Sequence, residues 1–162
     1  MTDDMAGDAR FEDAEEGPLR LLALDGENLA VISALVQDAV FPVSEMTYVG
    51  RRRRFAVLLN RFRWEDRPEA DRSRRPYERV RSLLVVEGVL AARTAGFDRR
   101  DHGAVLSLLR LAFHPGADGA GRLDLVLSGG GTIALETEAL EVTLRDVTRP
   151  HLANSGKAPD HG

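Results

Sequence analysis

The chain has 162 residues, 43% of them hydrophobic and 30% charged, which suits one domain with a real core better than two. It contains no cysteine, which excludes disulfides, thiolate metal sites and cysteine nucleophiles, and no apolar run approaches the roughly 20 residues of a membrane-spanning helix. The formal net charge of -4 conceals an asymmetry: Asp3, Asp4, Asp8, Glu12, Asp13, Glu15 and Glu16 form an acidic head, whereas twelve arginines lie between Arg51 and Arg81.

Residues 1–17 are acidic and poorly periodic, and read as a flexible head. They lack the positive flank and apolar core of a signal peptide, so a cytoplasmic protein without membrane attachment is expected. After Pro18, Leu19 to Leu24 reads as a short strand. Asp25 is placed to cap a helix over 26–37, whose apolar face is Leu29, Ile32, Leu35 and Val36. Val40 to Val43 contains Pro42 and predicts an edge strand, because proline removes a ladder donor. Met46 to Val49 is the next strand, followed by a turn at Gly50.

Residues 53–64 form the longest strand candidate. Phe55, Val57 and Leu59 share one face, while Ala56, Leu58, Phe62 and Trp64 follow the other parity. A strand apolar on both faces is central or lies beneath a helix, and the helix over 26–37 is the expected cover. Residues 65–76 are charged, contain two prolines and read as a loop. Tyr77 to Val86 returns to the sheet, Glu87-Gly88 reads as a tight turn, and Val89 to Thr94 is its expected hairpin partner. Val105 to Phe113 is apolar at nearly every position. Strand is favoured over helix there, because a glycine-rich reversal follows at 114–121.

The last third alternates cleanly: Leu123, Leu125, Leu127, Ile133, Leu135, Leu140, Val142 and Leu144 share the inward phase of half-buried antiparallel strands. Residues 149–162 read as a flexible polar tail. The expected domain is therefore 18–148, of α+β class and mostly β. It would be a strongly bent antiparallel sheet or a small barrel, with one early helix over it. A pleckstrin-homology-like barrel is one candidate topology, although its helix ordinarily comes at the end.

The pieces Leu21-Leu-Ala-Leu-Asp25, Arg54-Phe-Ala-Val-Leu-Leu-Asn-Arg-Phe-Arg-Trp-Glu65, Glu78-Arg-Val80 and Leu140-Glu-Val-Thr-Leu-Arg-Asp146 resemble those of a bacterial family of uncharacterised proteins, domain of unknown function 2948. The Leu-Asn-Arg-Phe-x-Trp-Glu string is the most specific of them. The resemblance implies a small family and supplies no activity, ligand or catalytic residue.

The residues themselves name no chemistry either. His102, His114, His151 and His161 are isolated and form no His-x-x-x-His pair, so no metal or cofactor is expected. No serine sits in a Gly-x-Ser-x-Gly elbow, and no catalytic residue is assigned. The arginine segment has two readings: coding bias with ordinary surface placement, or anion recognition by the guanidinium fork. The candidate anion- or partner-binding residues are Arg51, Arg52, Arg53, Arg54, Arg61 and Arg63. Their interleaving with Phe55, Phe62 and Trp64 also suits single-stranded nucleic acid. A non-enzymatic protein-binding or structural module is the primary expectation. The alternatives are arginine-mediated binding of nucleic acid or a phosphate ligand, and an enzyme of unrecognised class.

Overall fold

The strands follow the alternation in the sequence, and the surprises lie in which of them pair. A computed structural model describes residues 18–66, 78–147 and 151–152. In chain order the elements are β1 (Arg20–Ala23), α1 (Gly26–Leu35), β2 (Val40–Pro42), β3 (Met46–Val49), β4 (Arg54–Phe62), β5 (Glu78–Glu87), β6 (Val89–Ala95), β7 (Val105–Pro115), β8 (Gly121–Leu127), β9 (Thr132–Thr137), β10 (Val142–Asp146) and β11 (His151–Leu152). All strand pairs are antiparallel, in the order β1-β10-β5-β4-β2-β7-β8-β9-β6, with β3 on β4 and β11 on β5. Among the described residues the path ends at β1 and β6 and does not close. Of the two expected shapes this is the bent sheet, mostly β with one α-helix among the described residues.

Helix α1 starts where Asp25 predicts, since its carboxylate accepts the Asn28 N–H at 2.9 Å. Leu29, Ile32 and Val36 enter the same core as Val57, Leu59, Leu84 and Leu111, each apolar side chain contributing about 1.5–3 kcal/mol when fully buried. The helix packs on β1 and β7, inside the bend. It therefore does not cover the second face of β4, and Ala56, Leu58 and Phe62 are left half-buried on the outside. Trp64 does not extend the strand. It sits in a 3-10 turn (Trp64–Asp66), half-buried, and its indole N–H donates to Gln37 O at 2.9 Å just beyond α1.

Two pairings differ from expectation. β2 is not an edge strand: it joins the two halves of the sheet, pairing with β4 through Val40 alone and with β7 through Val40, Phe41 and Pro42. Proline is tolerated because it ends this three-residue strand, and Val43 N resumes bonding at Ala104 O, 2.9 Å away. Nor do β5 and β6 form a hairpin. Both edges of β5 are taken, by β4 and β10, so Gly88 (φ 72°) turns the chain into the other half, where β6 pairs with β9. The segment 105–113 is strand, within β7. Beyond residue 147, β11 pairs with Arg79 and Glu78 of β5.

Candidate functional site

Three inward-facing alternations are interrupted by a polar residue in phase. On β4, Phe55, Val57 and Leu59 face in, and so does Arg61, which is 0% exposed. On β5, Ser82 interrupts Val80, Leu84 and Val86; on β10, Val142 and Leu144 are followed by Asp146. Register brings these together, because Asp146 lies opposite Ser82 and Ser82 opposite Leu59.

The guanidinium of Arg61 uses all five of its N–H donors. Nε donates to Ser82 Oγ at 2.9 Å; Nη1 donates to Phe62 O at 3.0 Å and Glu65 Oε1 at 2.9 Å; Nη2 donates to Glu65 Oε2 and Asp146 Oδ1, both at 3.0 Å. Ser82 Oγ donates to Asp146 Oδ1 at 2.7 Å, and Asp146 Oδ2 accepts Leu19 N–H at 2.9 Å. Burial works against the arginine's charge, but Glu65 and Asp146 outweigh it and raise the guanidinium above its ordinary value. Burial likewise pushes the Glu65 carboxyl up, and the Arg61 hydrogen bonds and charge override it, holding the carboxyl below its usual range. With every donor occupied, this cluster offers a ligand nothing. It ties β4, β5, β10 and the start of β1 together.

The other sequence candidates scatter. Arg63 is 9% exposed; it bonds Glu78, and its Nε lies 3.6 Å from Glu65 Oε2 without a hydrogen bond. Arg53, with φ 52°, pairs with Glu138 at 3.1 Å, and Arg54 with Glu87 at 3.0 Å. Arg51 and Arg52 lie exposed in the 3-10 turn Gly50–Arg52 and make no hydrogen bond or ion pair among the described residues. The six candidates thus do not fan over one surface: Arg61 faces the core, and the exposed, uncommitted remainder is Arg51 and Arg52. Phe62 stacks at a tilt on Trp64, with centroids 5.2 Å apart, and Arg79 lies 4.2 Å over the Phe62 ring. Of the loop anticipated at 65–76, Glu65 and Asp66 lie in the 3-10 turn Trp64–Asp66, while residues 67–76 and both tails apart from β11 lie outside the described residues.

An exposed arginine pair escaped the sequence reading. Arg20 of β1 and Arg145 of β10 are directly opposite each other on the outer face, both exposed and neither bonded among the described residues. Cross-strand partners have Cβ atoms about 5 Å apart, and like charges so placed destabilise a sheet. The row continues through Leu83 to Leu58; the next runs Leu22, Thr143, Val85, Ala56 and Thr47. Leu22 is 51% exposed. A shallow depression of about 360 Å³ lies between the arginines, beside Leu22 and Thr143. The outer face thus carries an apolar centre with an uncompensated double positive charge at one end.

No helix among the described residues is long and apolar enough to cross a membrane. No curated protein and no solved structure matches the chain. The model of the family described as "Protein of unknown function (DUF2948)" matches residues 19–161, nearly the whole chain, and the protein belongs to that family.

Proposed function

We propose that the chain is a non-enzymatic binding module whose outer sheet face docks a carboxylate-bearing, partly apolar segment of another protein. The observation that carries this reading is the Arg20–Arg145 pair. Two unpaired guanidiniums held side by side cost stability in the free protein, and an anion between them turns that repulsion into two charge-assisted bonds. The neighbouring Leu22, Leu83, Leu58 and Val85 give an apolar surface of the kind that meets protein rather than a small ion. Arg51 and Arg52 add positive charge at the β3–β4 end and steer an acidic partner toward this side. The module spans 18–148 and works, in this reading, in the bacterial cytoplasm; the family resemblance suggests a bacterial source, and cell fractionation tests the compartment.

The test titrates the full chain, at physiological salt, with an acidic-apolar peptide of unrelated sequence, with a peptide of residues 1–16, and with single-stranded DNA. The acidic-apolar peptide should bind, and the double variant Arg20→Ser/Arg145→Ser should abolish that binding while leaving the fold intact. Binding of the head peptide alone would make the face an internal docking site. Micromolar DNA binding lost in the same variant would make it a nucleic-acid surface. Either outcome overturns the proposal.

A further inference from the structure

The unclosed seam of the sheet carries a second, independent feature. Among the described residues β3 is paired only with β4, and β6 only with β9. Between them lies a cleft of about 460 Å³, with Met46 and Tyr48 on the β3 side and Ala92 and Thr94 on the β6 side. Its floor is the core itself, Phe55 and Ile133, 3% and 1% exposed. The volume falls within the roughly 300–1,000 Å³ of small-molecule sites.

Backbone and side-chain bonds close both ends of this cleft. At one end Tyr48 Oη donates to Val89 O at 2.9 Å, and Val89 N donates to Arg53 O at 2.8 Å. At the other, Ser44 N donates to His102 O at 3.1 Å and Val43 N to Ala104 O at 2.9 Å, tying the 96–104 loop to the turn before β3. A strand adding to the free edges would have to run through these closures. A compact molecule entering from the open side would not.

The rim sets the charge of that molecule. Among the lining residues the basic side chains are Arg99 and His102, both exposed, and none is a carboxylate. Arg99 makes no hydrogen bond or ion pair among the described residues. The adjacent Asp98 is engaged by Arg100, whose backbone N–H and Nε both donate to Asp98 Oδ1, at 3.0 and 3.1 Å. A guanidinium fork without a carboxylate partner, set over an apolar floor, suits an anion with an apolar body.

We propose that this cleft binds a small amphipathic organic anion, its apolar body against Phe55, Met46 and Ile133 and its carboxylate at Arg99 and His102. The hydroxyls of Thr94 and Ser44 supply further hydrogen bonds to the head. The site is separate from the arginine-flanked outer face, and neither depends on the other.

The experiment follows backbone amide signals of the full chain by heteronuclear NMR, with octanoate as the probe and octanol as its uncharged counterpart. Octanoate should shift Thr47, Thr94 and His102 saturably, and octanol should bind at least about tenfold more weakly. Arg99→Ala, an exposed loop change, should weaken octanoate about tenfold and leave octanol unaltered. Thr94→Trp should fill the cleft and abolish both, with signals elsewhere unchanged. Arg20→Ser/Arg145→Ser should leave octanoate binding intact, which separates this site from the docking face. Equal binding of the two probes, shifts confined to other regions, or no effect of Arg99→Ala would each overturn the proposal.

Discussion

Replacing Arg61 with methionine tests whether the buried cluster holds the sheet together. The change keeps most of the side-chain volume and removes all five donors, so the effect comes from what is left behind. Glu65 has 26% of its side chain exposed and can turn to water. Asp146 cannot: its side chain is 1% exposed, and it retains only the Ser82 hydroxyl and the Leu19 N–H. A buried ion pair broken on one side costs about 3–5 kcal/mol, most of it the penalty of the stranded charge. For a domain of this size that is a fall in Tm of roughly 10 °C. Urea unfolding followed by the fluorescence of Trp64, the single tryptophan, measures it directly. Adding Asp146→Asn removes the stranded charge, so the two changes should be non-additive by about 1–3 kcal/mol. A loss for Arg61→Met below about 1 kcal/mol, or simple additivity, would refute the reasoning.

Glu65 gives the same cluster a pH signature. Its folded carboxyl titrates below its unfolded value near 4.5, so its contribution is present above that pH and disappears as the pH falls through the folded value; Glu65→Gln should flatten this acid limb of the urea midpoint. Gly96→Ala should cost about 1–3 kcal/mol or more, since φ is 83° and a Cβ would sit 2.7 Å from Gly131 Cα; thermal melts check it. Arg145→Thr should leave the melting temperature unchanged or raise it, worth about 0.2–1 kcal/mol, because it relieves a cross-strand like-charge pair; a clear loss would show that Arg145 has a stabilising partner. Trp64→Phe should lose about 1 kcal/mol in urea unfolding, read by circular dichroism, for the bond to Gln37 O.

What the sequence disclosed was set by how local each signal is. Asp25 announces α1 because a cap acts within one turn, and the Leu123–Leu144 alternation announces β8 to β10 because period two needs no partner. The pairing of β6 with β9 was hidden, because a glycine between adjacent strands suggests a hairpin, and the competition that prevents one comes from β10, far along the chain. Arg61 was hidden in a different way. Within an arginine-rich stretch it looks like its neighbours, and its partner Asp146 is 85 positions away. The signal was still present: Arg61, Ser82 and Asp146 each occupy the inward phase of an apolar alternation, where one polar residue needs another. The Arg20–Arg145 pair depends on register alone, and nothing local to either residue reveals it.

The placement of β10 between β1 and β5 bears on how the chain comes to fold. Until Val142 to Asp146 has been synthesised, β1 has no strand to join, one edge of β5 is open, and Arg61 lacks its deepest counter-charge. The first and nearly last strands of the domain meet only in the final act, so the half of the sheet built on β1, β5 and β4 is completed last. Contacts of such wide sequence separation make folding slow. A nascent chain halted before residue 142 should thus remain open to proteases at β1 and β5, and the next few residues should confer resistance there.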